Sequence, residues 1–214
     1  MDQKISLLKY VLVAALGFGL GGFLWGLFLY SRFPKLEYPL HYIAIIAIGL
    51  FGGISLSIFS KNVRKIIMSV IGGWLGLLVG FLVSTIFSYY LFLYGVYILS
   101  VVSLNGRILG SVLENMINLE PNVDVGVLWL IFLFAGAITG LSYALFLKLK
   151  IWAMIWRGGV GFALASLISP VIGNILGDVL NSTAVSYLVT FSLIGIILGI
   201  FLSWGVYTKS KVVT

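Results

Sequence analysis

Between Gly49 and Gly80, two glycine-spaced apolar runs, GLFGGISLSIF and IIMSVIGGWLGLLVG, flank the residues SKNVRK. An apolar run, a short basic turn and a second apolar run make a helical hairpin that turns at the cytoplasmic face of a membrane. The composition extends that reading to the whole chain: 61% of its 214 residues are hydrophobic, 9% are charged, and the mean hydropathy is +1.18. A soluble domain of this size would have to leave much of that apolar material on its surface. Lipid is therefore the expected solvent, and the expected class is an all-α integral membrane protein.

Read in order, the chain offers six spans, at about 11–30, 42–60, 66–84, 127–147, 151–169 and 185–207. The first is too long for a signal-peptide core and lacks a small-residue cleavage site, so it is read as an uncleaved helix. From Ile66 to Leu104 the sequence is almost unbroken apolar. As one helix it would be about 58 Å long, nearly twice the hydrocarbon thickness. A break near Ser84–Ser88 is expected, leaving 85–104 as an interfacial, re-entrant or extending segment. Residues 106–120, GRILGSVLENMINLE, place Ile108, Leu109, Val112, Leu113, Met116 and Ile117 on one helical face, with Arg107, Glu114 and Asn118 opposite. That pattern predicts an amphipathic helix lying on the outer surface. Pro170 predicts a kink or break in the fifth span, with 173–183 as a polar connector.

Charge supports this topology. With both termini cytoplasmic, the inner side holds Lys4, Lys9, Lys61, Arg64, Lys65, Lys148, Lys150, Arg157, Lys209 and Lys211 against Asp2 alone. The outer side holds Arg32, Lys35 and Arg107 against Glu37, Glu114, Glu120, Asp124 and Asp178. This is the positive-inside asymmetry, and a seventh span at 87–104 would spoil it. The expected location is the plasma membrane of a prokaryote. The net charge of +7 thus belongs to membrane anchoring rather than to nucleic acid.

Glycines suggest a threefold internal repeat of parallel hairpins. In the even-numbered spans Gly49/Gly53, Gly136/Gly140 and Gly195/Gly199 each form a Gly-x-x-x-Gly pair. In the odd-numbered spans Gly17, Gly72 and Gly158 follow Lys9, Lys65 and Lys150 by eight, seven and eight residues. Gly17/Gly21 and Gly72/Gly76 extend the pattern. Helices in lipid associate by close packing, which small residues every four positions permit. Two readings follow: packing inside the bundle, or a glycine face that docks another subunit. The small hydroxyls Ser55, Ser57, Ser69, Ser84, Thr139, Ser142, Ser166 and Ser169 suit hydrogen bonds between helices.

Three residues are candidate ligand-binding positions. Arg157 lies about 9 Å inside the fifth span, where a charge either marks a binding site for an anionic group or snorkels to the headgroups. Asn174 and Asp178 are spaced i, i+4 and form a polar stripe that lines an outer vestibule or merely a solvated rim. Glu114, Glu120 and Asp124 read as solvated surface acids, and His41 as an interfacial residue. With no cysteine, one histidine and no intramembrane acid–base pair, neither a catalytic set nor a metal or cofactor site is expected. The expected function is a passive or partner-driven transport or solute-binding module. The alternative is an accessory or scaffolding subunit of a larger membrane complex. Membrane lipids are the expected partners, with a second membrane protein or further copies of the chain as the others.

Overall fold

The computed structural model describes residues 6–32, 39–60, 62–102 and 125–210. These form six α-helices and no strand: α1 (Leu7–Arg32), α2 (Pro39–Ser57), α3 (Val63–Val102), α4 (Val125–Leu147), α5 (Ile151–Val179) and α6 (Thr183–Ser210). Five of them are long and apolar enough to cross a membrane, and the described part of α2 forms a shorter apolar helix. The architecture is that of a multi-pass membrane protein. The candidate amphipathic helix at 106–120 lies outside the described residues, as does any structure for Arg107, Glu114, Glu120 and Asp124.

Two expected interruptions are absent. α3 runs through Ser84–Ser88 without a break and reaches 40 residues, roughly 60 Å. The Ser84 hydroxyl donates to the Gly80 carbonyl of the same helix at 2.5 Å, the i−4 bond by which a serine is accommodated within a helix. A helix of that length overhangs a hydrocarbon layer of about 30 Å, and the extending alternative for 85–102 is the one adopted. α5 likewise continues through Pro170 to Val179, which turns most of the expected 173–183 connector into helix. Proline is tolerated inside such helices because neighbours support the freed backbone. Here α6 lies alongside, with Gly173 against Thr190 and Ser186, and Gly177 against Ser186.

The turns follow from local chemistry. Lys148 and Asn181 both adopt left-handed backbone, at φ 53° and 47°. In each case the next residue bonds back five positions, Leu149 N–H to Ala144 O and Ser182 N–H to Gly177 O, both at 2.8 Å. This is a Schellman-type helix end built without glycine. Asn62 starts α3 by accepting from Lys65 N–H at 3.3 Å, and Ser182 starts α6 by accepting from Val185 N–H at 3.4 Å. Both are N-cap bonds to the third helical residue.

Each helix packs along its two neighbours in sequence, and α6 packs back along α1 in the most extensive contact of all. The six helices therefore close a ring. Its outer face carries large apolar side chains such as Leu8, Leu16, Leu20, Ile67 and Val171. Lys9, Arg64, Lys65, Lys148 and Lys150 are exposed at one end, hereafter the basic end; Asp178 is exposed at the far end.

Glycine sets the seams. Each glycine whose surroundings are described, from Gly17 to Gly205, abuts another helix of this chain. Gly49 and Gly53 of α2 face α3 at Gly73/Trp74 and Ser69/Val70; Gly136 and Gly140 of α4 face α5 at Gly158 and Met154/Ile155. Gly195 and Gly199 of α6 face α1 at Phe18/Gly19 and Ala14/Ala15. The pairs on the odd helices face the other way round the ring. Gly17 and Gly21 of α1 meet α2 at Ser55 and Ala47/Ile48, while Gly72 and Gly76 of α3 meet α4 at Phe146 and Ser142/Thr139. Gly76 is buried in that seam, against Ser142 and Thr139 of this chain.

The contacts of the even-helix pairs put Ala14, Ser69 and Met154 at one level, and Phe18, Gly73 and Gly158 one turn further along; all six are buried. The position of Gly17 and Gly72 belongs, on α5, to Arg157 rather than to Gly158. Gly76, one turn beyond Gly72, then corresponds to Gly161 on α5 and to Gly21 on α1, and each of these also meets the next helix.

Candidate functional site in the ring interior

Side chains from non-adjacent helices meet in the middle of the ring. In the half nearer the far end, Trp25 of α1 meets Phe81 of α3 with ring centroids 6.0 Å apart. Phe81 meets Phe162 of α5 and Phe132 of α4, both at 5.6 Å and nearly perpendicular. Phe132 and Phe162 meet edge to face at 4.9 Å. Edge-to-face contacts of this kind add about 0.5–1.5 kcal/mol per pair to the area buried. The result is an aromatic plug fed by α1, α3, α4 and α5, with Phe191 of α6 against Trp25 at 4.4 Å.

Nearer the basic end the filling changes. Phe18 of α1 reaches Tyr143 of α4 across the ring at 6.3 Å. Tyr143 is fully buried, and among the described residues no group pairs with its hydroxyl. It faces Gly73, where any Cβ would collide with the phenol oxygen. One turn nearer the basic end on the same face of α3 is Ser69, also fully buried and unpartnered. Trp25 Nε1 and the Ser169 hydroxyl, further toward the far end, are the other buried side-chain polar atoms without a partner among the described residues. A buried hydroxyl or indole N–H without a partner costs about 1–3 kcal/mol, and native proteins usually satisfy such groups with protein or ordered water.

The mouth at the basic end is tied differently. The Tyr10 hydroxyl donates to the Leu56 carbonyl, and its ring meets Phe59 at 5.7 Å and Tyr207 at 6.0 Å. Among the described residues no Lys, Arg or Asp is buried, and no group of three metal-ligating side chains occurs.

The candidate positions named from the sequence lie outside this interior. Arg157 sits at the α5–α6 seam with its guanidinium carbon 6.0 Å from the Trp204 ring centroid. Asn174 and Asp178 are exposed near the far end, and Asn174 Oδ1 accepts a 2.8 Å hydrogen bond from the Ser186 hydroxyl. Arg157 and Asp178 are 21 residues apart on one helix, about 32 Å, and cannot share a ligand. The small hydroxyls also need correction. Of those named from the sequence, only Ser142, which donates to Gly72 O at 2.7 Å, donates to another helix. Ser55, Ser57, Ser84, Thr139 and Ser166 donate to their own helices. Tyr143 and Trp25 escape sequence reading because their helices are apolar on every side, so periodicity does not say which aromatic points inward.

No protein-family model, curated protein or solved structure matches the chain.

Proposed function

We propose that the chain is a passive or partner-driven transport module for small uncharged solutes, passing through or held within the ring of six helices. The observation that carries this reading is the set of buried polar atoms without partners among the described residues, Ser69 Oγ, Tyr143 Oη, Ser169 Oγ and Trp25 Nε1, where the other buried hydroxyls, such as Ser55, Ser57, Ser84 and Thr139, bond to backbone carbonyls. In a bundle bathed in lipid such groups are expensive unless water or a polar solute visits them. Coupled transporters place ionisable or polar clusters at the midplane. The absence of a buried charged side chain among the described residues favours neutral cargo without ion coupling. The aromatic plug around Phe81 is the closed gate in this reading, and thinning it opens the path.

The test is swelling of proteoliposomes in urea or glycerol, with potassium chloride as the charged comparison. The purified chain should speed uptake of the neutral solutes, Phe81→Ala should speed it further, and Tyr143→Phe should slow it. Swelling no faster than in empty vesicles, for both the natural chain and Phe81→Ala, would sink the proposal. The glycines lend the accessory-subunit alternative little, because those whose surroundings are described already abut helices of this chain.

Orientation and ancestry belong to the same proposal. The basic end faces the cytoplasm by the positive-inside rule. A reagent that cannot cross the membrane should label Asp178→Cys but not Asn62→Cys in intact cells. The shared register of α1, α3 and α5 against the three Gly-x-x-x-Gly pairs supports three parallel hairpin units around an axis along the membrane normal.

A further inference from the structure

Arg157 breaks the register of the ring in a way that points to a ligand. At the equivalent level α1 has Gly17 and α3 has Gly72, each turned into the seam with the next helix, against Ser55 and Phe146 respectively. α5 has a cation there instead. Its side chain lies over Trp204 and Gly205 of α6, where a Cβ on Gly205 would fall 3.0 Å from Arg157 Nη1. Met154 Sδ would lie closer still to such a Cβ, so the bare glycine leaves room for both side chains. The only acidic side chain among the described residues is Asp178, about 32 Å away along α5. The charge is thus not neutralised by a described carboxylate.

The surroundings are those of a membrane interface rather than of a pore. Trp152, Trp156 and Trp204 are 75%, 65% and 56% exposed on the outside of the ring, and indoles concentrate at headgroup depth. Lys150 lies seven residues before Arg157 on the same face of α5 and is exposed. In the other direction Leu164 and Ile168 continue that face as exposed apolar side chains. From Arg157 to Ile168 is about 16 Å, roughly half of a hydrocarbon core of about 30 Å and so one leaflet deep. A guanidinium stacked on an indole keeps its N–H edge for a phosphate, which it can bind with two parallel hydrogen bonds.

From this arrangement we infer that the α5–α6 seam binds one anionic phospholipid of the basic-end leaflet, its phosphate on Arg157 and an acyl chain along Leu164 and Ile168. The site is independent of the transport reading, since it lies on the outside of the ring.

Native mass spectrometry of the detergent-solubilised full chain tests it, with dioleoyl phosphatidylglycerol titrated against dioleoyl phosphatidylcholine. One phosphatidylglycerol should bind about tenfold more tightly than phosphatidylcholine, whose choline cation offsets the same phosphate; that factor corresponds to about 1.4 kcal/mol. Arg157→Gln should abolish that preference. Trp204→Leu, which keeps the charge and provides a second variant if Arg157→Gln does not fold, should weaken it severalfold. Lys65→Gln, at the basic end of another helix, should leave it intact. Equal affinity of the natural chain for both lipids would overturn the inference. So would an unchanged preference in Arg157→Gln, or an equal loss in Lys65→Gln, which would mean diffuse attraction. Displacement of the lipid by millimolar glycerol 3-phosphate would assign the site to a soluble anion and overturn it too.

Discussion

The ring has two kinds of seam. Where an even helix meets the next odd one, at α2–α3, α4–α5 and α6–α1, the paired glycines rest on backbone. A Cβ on Gly53 would lie 2.6 Å from Val70 Cα, and one on Gly199 would lie 2.8 Å from Ala14 O. Where an odd helix meets the next even one, most glycines rest on side chains: Gly72 on Phe146, Gly161 on Phe201, Gly177 on Ser186. Gly76 is intermediate, its Cβ falling 2.8 Å from Ser142 Cβ and 2.9 Å from Thr139 Cα. Gly21 and Gly80 are exceptions, meeting the backbone of Ile48 and Ala135. Two of the backbone seams adjoin tight turns, but α6–α1 joins the first helix to the last and is built in the same way. Glycine contact, not chain connection, is what brings these helices close. In lipid no hydrophobic expulsion compensates for a lost backbone contact, so a side chain added at a backbone seam must push whole helices apart.

The comparison is broken most readily at Gly53. Gly53→Ala should destabilise the detergent-solubilised chain by up to about 3 kcal/mol, the upper range for overpacking, because its neighbour is backbone and cannot rotate away. Unfolding midpoints read by circular dichroism would show it as the largest loss among these variants. A smaller loss is expected from Tyr10→Phe, which removes the hydroxyl bound to Leu56 O between α1 and α2. Its cost should be about 1 kcal/mol, the net worth of a typical buried hydrogen bond. Gly72→Ala should cost less again, under about 1 kcal/mol, since its nearest neighbour, Phe146, stands 3.2 Å from the new Cβ and need give by only a few tenths of an ångström. If Gly72→Ala matched Gly53→Ala on the same scale, the two seams would not differ. The smallest effect belongs to Tyr143→Phe. This deletes a hydroxyl that has no partner, so stability should stay level or rise by about 1 kcal/mol. A loss equal to that of Tyr10→Phe would mean the Tyr143 hydroxyl is firmly bonded, and would remove the main support for a solute path.

Much of this architecture was legible in the chain. Apolar runs of membrane length, basic residues at alternate ends and Gly-x-x-x-Gly pairs depend only on local composition and spacing, and they predicted six helices with glycine interfaces. The tertiary structure decided what depends on neighbours. Ser84 looked like a break but donates to its own helix, and Pro170, where a kink or a break was expected, is carried through in helix where α6 lies alongside. Gly76 could have faced another subunit, and only the position of α4 turns it into an internal contact. On α5 the glycine contacts bring Arg157, rather than Gly158, to the level of Gly17 and Gly72. Which aromatics fill the ring was also a tertiary decision. In a helix that is apolar all round, nothing in the order of residues separates the face toward lipid from the face toward protein. Phe81 and Tyr143 point inward, and Trp152 and Trp156 outward, only because of where the other five helices stand.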